Sequence, residues 1–305
     1  MDFAKPIRIR SGDRVRIVAP GGPFDLDSFN AGVEILKTRY EPKFDQSIFA
    51  VDRYLAGDDH RRHAELTTAF LEPDTKALFS ARGGYGSMRL LPQLPVSTLP
   101  LKPLVGYSDM TALHLAFQAA GRISFHGPVV TQLGKQPKSV ISRLFLLLES
   151  ADPLPPLPGD RCFVPGTVEG PLLGGNLSVL SRLLGTPYFP DMRGAILLLE
   201  DNGEKPYRID RMWTHLALAG VFRQVAGIVL GDFTKCEEEG VDYDCREILR
   251  GLAVDSGLPC AAGFAIGHGE ANFAVPLGAK VRLDAERAVL EFLEPATVAG
   301  PESAA

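Results

Sequence analysis

The chain has 305 residues, 45% of them hydrophobic and 23% charged, with a formal net charge of −5. That length holds one large domain or two ordinary ones, and an acidic balance without a basic patch argues against nucleic acid or an anionic membrane as partner. No apolar run approaches the roughly 20 residues that a membrane span needs, and residues 1–20 carry charges throughout, so neither a span nor a signal peptide is expected.

In chain order, "DRVRIVAP" (13–20) predicts a short buried strand that stops at the turn cluster "PGGP". "DLDSFNAGVEILKTRY" predicts a helix capped by Asp25 or Asp27. "FDQSIFAVD" is read as a second strand, and "GDDHRRHAELTTAFLEP" as a helix capped by Asp58 or Asp59, burying Leu66, Ala69 and Phe70. "TKALFSA" (75–81) is a strand that ends in "RGGYGS", followed by a short helix over "SMRLLPQL". Leu104 and Val105 lead into Gly106-Tyr107-Ser108-Asp109, and a helix follows with Leu113, Ala116, Phe117 and Ala120 on one face and Gly121 as its cap. "ISFHGPVV" gives another short strand.

The texture changes in the Pro-rich stretch 151–166, which reads as a linker between an N-terminal domain (1–150) and a C-terminal domain (167–305). Beyond it, "TVEGPLLGGNLSVLSRLLGT" predicts a strand, a Gly-Gly turn and a helix. "GAILLLED" (194–201) is a strongly buried strand ending in two acids. A helix over "YRIDRMWTHLALAGVF" turns Met212, Leu216, Ala219 and Phe222 inward. "VAGIVLGDF" is a buried strand, "VDYDCREILRGLAVDSGLP" holds a helix, and "CAAGFAIGHG" is a strand into a turn. "AKVRLDAERAVLEFLE" predicts a terminal hairpin turning at Asp284-Ala285-Glu286, and "PATVAGPESAA" a frayed tail. Strands alternating with helices imply a parallel α/β sheet covered on both faces. Cys162, Cys236, Cys245 and Cys260 form no Cys-x-x-Cys pair, which points to a reducing, cytoplasmic setting.

Several residues can carry chemistry, each with a plainer alternative. Ser108 lies on a tight strand-to-helix turn, where a nucleophilic serine would stand beside free backbone N–H groups. Gly106 is the residue expected to make that turn sharp. A Ser or Asp just before an apolar helix is also the usual N-cap, and Met110 replaces the second glycine of a G-x-S-x-G elbow. "RGGYGS" (82–87) follows a strand; Gly83 and Gly84 can present N–H groups to an oxyanion, cradle a phosphate, or simply turn. It is not a G-x-G-x-x-G fingerprint, and no P-loop is present. Glu200 is either a solvated strand end or a buried acid with a partner. His268, between glycines in "AIGHGEANF", is free to act as a base, although a lone surface histidine is the usual case. His60 and His63 at i, i+3 beside Asp58 and Asp59 invite a metal reading, which a capped, exposed helix start explains better. "CEEEGVDYDC" lacks the spacing of a calcium loop and reads as a solvated acidic loop. His114 is assigned to packing within its helix, and His126 to the wall of the same cleft.

The series "VRIVAP", "ARGGYGSMRLLPQL", "VGYSDMTALH", "HGP", "EGPLLGGNLSVLSRLLGTPY", "ILLLEDNGEKPYRIDRMWTHLALAG" and "GHGEANFAVPLGA" resembles the LD-carboxypeptidase family of serine peptidases, which includes the murein tetrapeptide carboxypeptidases and the microcin-immunity peptidases. The resemblance runs over nearly the whole chain, in the family's order. It implies a Rossmann- or flavodoxin-like parallel-sheet N-terminal domain joined to a smaller β-rich C-terminal domain. It places the family's catalytic serine, glutamate and histidine on Ser108, Glu200 and His268, with oxyanion donors at Gly83 or Gly84 and on the backbone N–H of Asp109. It implies release of the terminal D-alanine of murein tetrapeptides across an L-to-D bond, no metal or organic cofactor, and a homodimer in the bacterial cytoplasm. A related peptidase acting on a microcin-like peptide–nucleotide conjugate and a non-catalytic binder of a small anion or nucleotide are the alternatives. Trp213 and Asn202 depart from the family's usual residues, and no immunity-type insertion is present near the site.

Overall fold

The computed structural model describes residues 2–300. The first half supplies strands β1 (Arg14–Val18), β2 (Glu41–Lys43), β3 (Ala77–Ser80), β4 (Leu104–Gly106) and β5 (Ser124–His126). All pair in parallel, in the order β2-β1-β3-β4-β5. This is a flavodoxin-like order, and its switch point lies between β1 and β3. Helices α1 (Leu26–Lys37), α2 (Asp59–Leu71), α3 (Thr111–Ala119), α4 (Val130–Leu133) and α5 (Lys138–Glu149) accompany these strands. Asp25 caps α1 through the Ser28 N–H, and Asp58 caps α2 through the Arg61 N–H, each at 2.7 Å.

The second half builds a larger sheet from β6 (Leu157–Pro158), β7 (Arg161–Val164), β8 (Thr167–Asn176), β9 (Ile196–Asn202), β10 (Gly227–Thr234) and β11 (Cys260–Ala262). Helices α6 (Leu177–Leu183), α7 (Pro206–Leu218) and α8 (Cys245–Ser256) connect its strands. Its centre, β8-β9-β10-β11, is parallel. β12 (Val275–Leu277) then returns to the first sheet, antiparallel to β5. β13 (Lys280–Asp284) and β14 (Val289–Phe292) form the expected hairpin and complete the second sheet on the β8 side. The fold is mixed α/β, with a first sheet that is parallel except for its edge strand β12 and a larger second sheet that is parallel at its core.

Several expectations change. "FDQSIFAVD" is a 3₁₀ turn over Gln46–Phe49, because the Asp45 carboxylate accepts the Ser47 N–H at 2.9 Å and closes a local turn. The pairing strand is Glu41–Lys43. Gly174 and Gly175 do not turn; they lie inside β8, where a Cβ on Gly174 would sit 2.1 Å from the Leu198 carbonyl and one on Gly175 2.7 Å from Thr111 Oγ1. α7 ends at Leu218 and leaves Ala219 exposed; Ile209 and Trp213 share its buried face with Met212 and Leu216. Trp213 lies against Phe222, with ring centroids 4.7 Å apart and planes tilted by 35°. The stretch 151–166, expected as a linker, contributes β6 and β7. Of the tail expected to fray, Thr297 is buried, with its hydroxyl donating to the Ser150 carbonyl at 2.5 Å, and Val298 bridges Ile7. The rest of that tail, 301–305, lies outside the described residues.

Candidate active site

The carboxyl ends of β1, β3 and β4 bring three loops together at the switch point, the place where open α/β sheets bind ligands. Ser108 follows β4 and has φ of 64°, in the left-handed region that a residue with a Cβ avoids. The strain expected at Gly106 therefore falls on the serine itself. Gly106 serves packing instead, since a Cβ there would lie 2.7 Å from Met110 Cγ. Ser108 caps no helix through its side chain. Its Oγ has no hydrogen-bond partner among the described residues. Such a hydroxyl is held by the backbone and left free for a ligand.

The loop after β3 packs directly on this serine. A Cβ on Gly83 would lie 2.8 Å from Ser108 Cβ and 3.0 Å from its Oγ. The Gly83 carbonyl accepts the Gly22 N–H at 2.9 Å, tying the loops after β1 and β3 together. Gly84 has φ of +90° and its Cβ would meet Gly22 at 3.0 Å. The N–H groups of Gly83 and Gly84 have no partner among the described residues. Asp109 is buried, and its carboxylate accepts the N–H groups of Ser87 at 2.8 Å and Gly86 at 3.3 Å, so it braces the same loop. Burial pushes its carboxyl up, while the bonds from Ser87 and Gly86 and the nearby Arg62 pull it down. Arg62 is fully buried and donates to the Pro20 carbonyl.

The second sheet contributes the other half. Consecutive strand residues point to opposite faces, so the two acids ending β9 part company. Asp201 accepts from Ser178 N–H at 2.9 Å and Asn176 Nδ2 at 3.1 Å. Glu200 is 0% exposed, and its Oε2 lies 2.6 Å from His268 Nδ1. It is thus the buried acid with a partner, not the solvated strand end. Its other oxygen has no partner among the described residues. Burial raises the Glu200 carboxyl, with the His268 bond opposing. Burial alone would lower His268; the Glu200 bond and charge, with Asp201 and Asp232, outweigh it and raise the imidazole.

His268 reaches the serine's neighbourhood through Tyr107, whose ring centroid lies 4.6 Å away. The histidine loop is fixed by Asn272, which is fully buried, accepts the Gly267 N–H at 2.9 Å and donates its own N–H to Gln136 Oε1 at 2.9 Å. The two halves meet under the site, where Asn176 N–H donates to Thr111 Oγ1 at 3.0 Å and Gly174 pairs with the Gln118 amide.

Other candidates fall elsewhere. His114 is buried between Ser124 Oγ at 2.9 Å and the Gly106 carbonyl at 2.8 Å, and burial lowers it to about 4. His126 does not line the cleft; it is fully buried, and burial with the neighbouring histidines holds it neutral. His63 bonds the Gln93 carbonyl at 3.0 Å, and His60 is exposed. Sequence reasoning passed over Arg62, Asn272 and Asp232. Only Asp232 carried a signal, as an acid after the apolar run "IVLG" that parallels "LLLED".

Comparison with known proteins bears on the family and the fold. Residues 15–127 match the LD-carboxypeptidase N-terminal domain, and residues 169–283 the LD-carboxypeptidase C-terminal domain. The chain is 35% identical over 297 residues to the "Probable murein peptide carboxypeptidase" of Bacillus subtilis, covering 92% of this chain and 91% of that protein. It is 34% identical over 294 residues to the murein tetrapeptide carboxypeptidase of Pseudomonas aeruginosa, covering 90% and 94%. The solved structure of the microcin C7 self immunity protein MccF in complex with aspartyl sulfamoyl adenosine superposes with a TM-score of 0.88 over 97% of this chain and 100% of that one, at 24% identity, a likeness of fold. With both domain models matched in order and relatives of this identity aligned end to end, the chain belongs to the LD-carboxypeptidase family.

Proposed function

We propose that the protein is a serine LD-carboxypeptidase that releases the terminal D-alanine of murein tetrapeptides, with Ser108 as nucleophile, His268 as general base and Glu200 as its orienting carboxylate. The observation that carries this reading is the 2.6 Å contact between Glu200 and His268 beside the strained Ser108 turn. Ser108 Oγ attacks the carbonyl carbon of the L-to-D bond while His268 Nε2 takes its proton. Glu200 holds the Nδ1–H and stabilises the imidazolium. The developing oxyanion accepts from the free N–H groups of the Gly83-Gly84 turn and from the N–H of Asp109. The C–N bond then breaks, the amine of D-alanine leaves with the proton from His268, and a Ser108 ester remains. Water, deprotonated by His268, attacks the ester and restores the serine.

The murein substrate is favoured over a microcin conjugate because the murein carboxypeptidases stand at 34–35% identity and MccF at 24%. A homodimer in the cytoplasm belongs to the same proposal, and sedimentation tests its first part. The deciding experiment is incubation with murein tetrapeptide and mass spectrometry of the products. Tripeptide and D-alanine are expected; an intact tetrapeptide alongside a cleaved peptidyl sulfamoyl nucleoside would transfer the protein to the other branch.

A further inference from the structure

His268 is held from a second side. Asp232 follows the apolar run of β10, at the irregular step in its pairing with β9 between Leu230 and Phe233. Its Oδ2 accepts the Gly269 N–H at 3.2 Å, and its own N–H donates to the Ile266 carbonyl at 2.8 Å. The loop is thereby tied to β10 before and after the histidine. Three glycines permit the close approach. A Cβ would lie 2.3 Å from the Ile266 carbonyl on Gly231, 2.6 Å from Glu200 Oε2 on Gly267, and 2.5 Å from Asp232 Oδ2 on Gly269. A side chain at any of them would lift the loop off its carboxylates.

We propose that Asp232 is a positioning residue for His268, fixing the loop through Gly269 and favouring with its charge the imidazolium formed when the ring takes a proton. This rests on the reading of His268 as general base. Glu200 from β9 and Asp232 from β10 act on the ring with their charge, and Asp201 adds its charge from the opposite face of β9. Tyr107 lies against the ring, His126 of β5 stands near Tyr107 at 5.7 Å, and Glu270 is the loop's own acid. Glu200 is engaged with Nδ1 and Asp201 with Asn176 and Ser178, which leaves Asp232 as the carboxylate bound to the loop's backbone.

Burial raises Asp232 to about 6, opposed by the Gly269 bond. A carboxyl raised in the folded state contributes stability below its ordinary value of 3.8, and that contribution is lost as pH rises through about 6. At neutral pH an ionised Asp232 is therefore a cost to the fold, as expected of a group kept for the site.

Asp232→Asn keeps the shape and the acceptor and removes the charge. The readouts are the His268 titration by NMR without substrate, the pH dependence of kcat/KM on murein tetrapeptide, and Tm at pH 8. The His268 titration should move to lower pH, and the acid limb of kcat/KM should move with it. The kcat at pH 8 should fall by up to about a hundredfold with KM little changed, and Tm should not fall. Asp232→Glu should return the titration toward the wild-type value. If Asp232→Asn does not fold, Gly269→Ala, whose methyl displaces the carboxylate, must lower the titration in its place. An unchanged titration overturns the proposal, whether or not kcat falls. A shifted titration together with full kcat in His268→Ala establishes the coupling of Asp232 to the ring and overturns the base reading instead.

Discussion

Glu200 Oε2 and His268 Nδ1 lie 2.6 Å apart although 68 residues separate them in the chain, and the carboxylate is 0% exposed. Buried away from the surface, that carboxylate fixes which ring nitrogen carries the proton and leaves Nε2 as the basic one.

The surrounding carboxylates raise His268 above its ordinary 6.5, and the base must be deprotonated to act. The acid limb of kcat/KM should therefore have its midpoint above 6.5. Glu200→Gln should move the His268 titration down and lower kcat by about 10⁴, as for an orienting acid in such triads. A midpoint at or below 6.5 with chemistry rate-limiting would count against the pairing.

Ser108→Ala should abolish turnover, a loss of several powers of ten when a triad member is removed. It should not unfold the protein, since the hydroxyl bonds no described residue. Covalent labelling by a fluorophosphonate should disappear with it. A folded variant that keeps more than a few per cent of activity names another nucleophile.

Gly83→Ala tests the packing of the two loops. The added methyl would lie 2.8 Å from Ser108 Cβ and 3.0 Å from Oγ, so the serine or the loop must shift by tenths of an ångström. A shift of that kind at the reacting atom should lower kcat by roughly ten- to a hundredfold while far-UV circular dichroism is unchanged. Wild-type kcat in this variant would show that the loop yields freely.

The sequence carried the local features well. Apolar runs bounded by turn residues marked β1, β3, β9 and β10, and acidic caps marked α1 and α2. It was less informative where a choice depends on a distant neighbour. Gly174 and Gly175 resemble a turn until Leu198 and Thr111 are seen pressed against them. Ser108 resembles an N-cap until its φ of 64° is known. Glu200 resembles a solvated strand end, because nothing within its own strand names a histidine as partner. The local setting drew notice to Ser108, Glu200 and His268, and the family resemblance, not periodicity, favoured the catalytic reading of each.

Splitting the chain tests how far the halves depend on each other. Residues 1–155 carry Ser108, and 160–305 carry Glu200 and His268. Neither fragment should hydrolyse the tetrapeptide, because a serine without its base is a weak nucleophile. Mixing the two should restore measurable activity if 275–277 can dock on β5 in trans. Turnover by the first fragment alone would refute a shared site.

The return of β12 to β5 also governs when this protein can mature. Until residues 275–277 leave the ribosome, β5 is an open strand edge beside an otherwise completed sheet. At about 5–20 residues per second the stretch from β5 to β12 takes on the order of ten seconds to synthesise. For that interval the nascent chain exposes a template for aberrant pairing, and His268 is not yet in place beside Glu200. The strand that closes the edge follows closely on His268 in the chain, so the covering of β5 and the seating of the histidine on Glu200 arrive in one event.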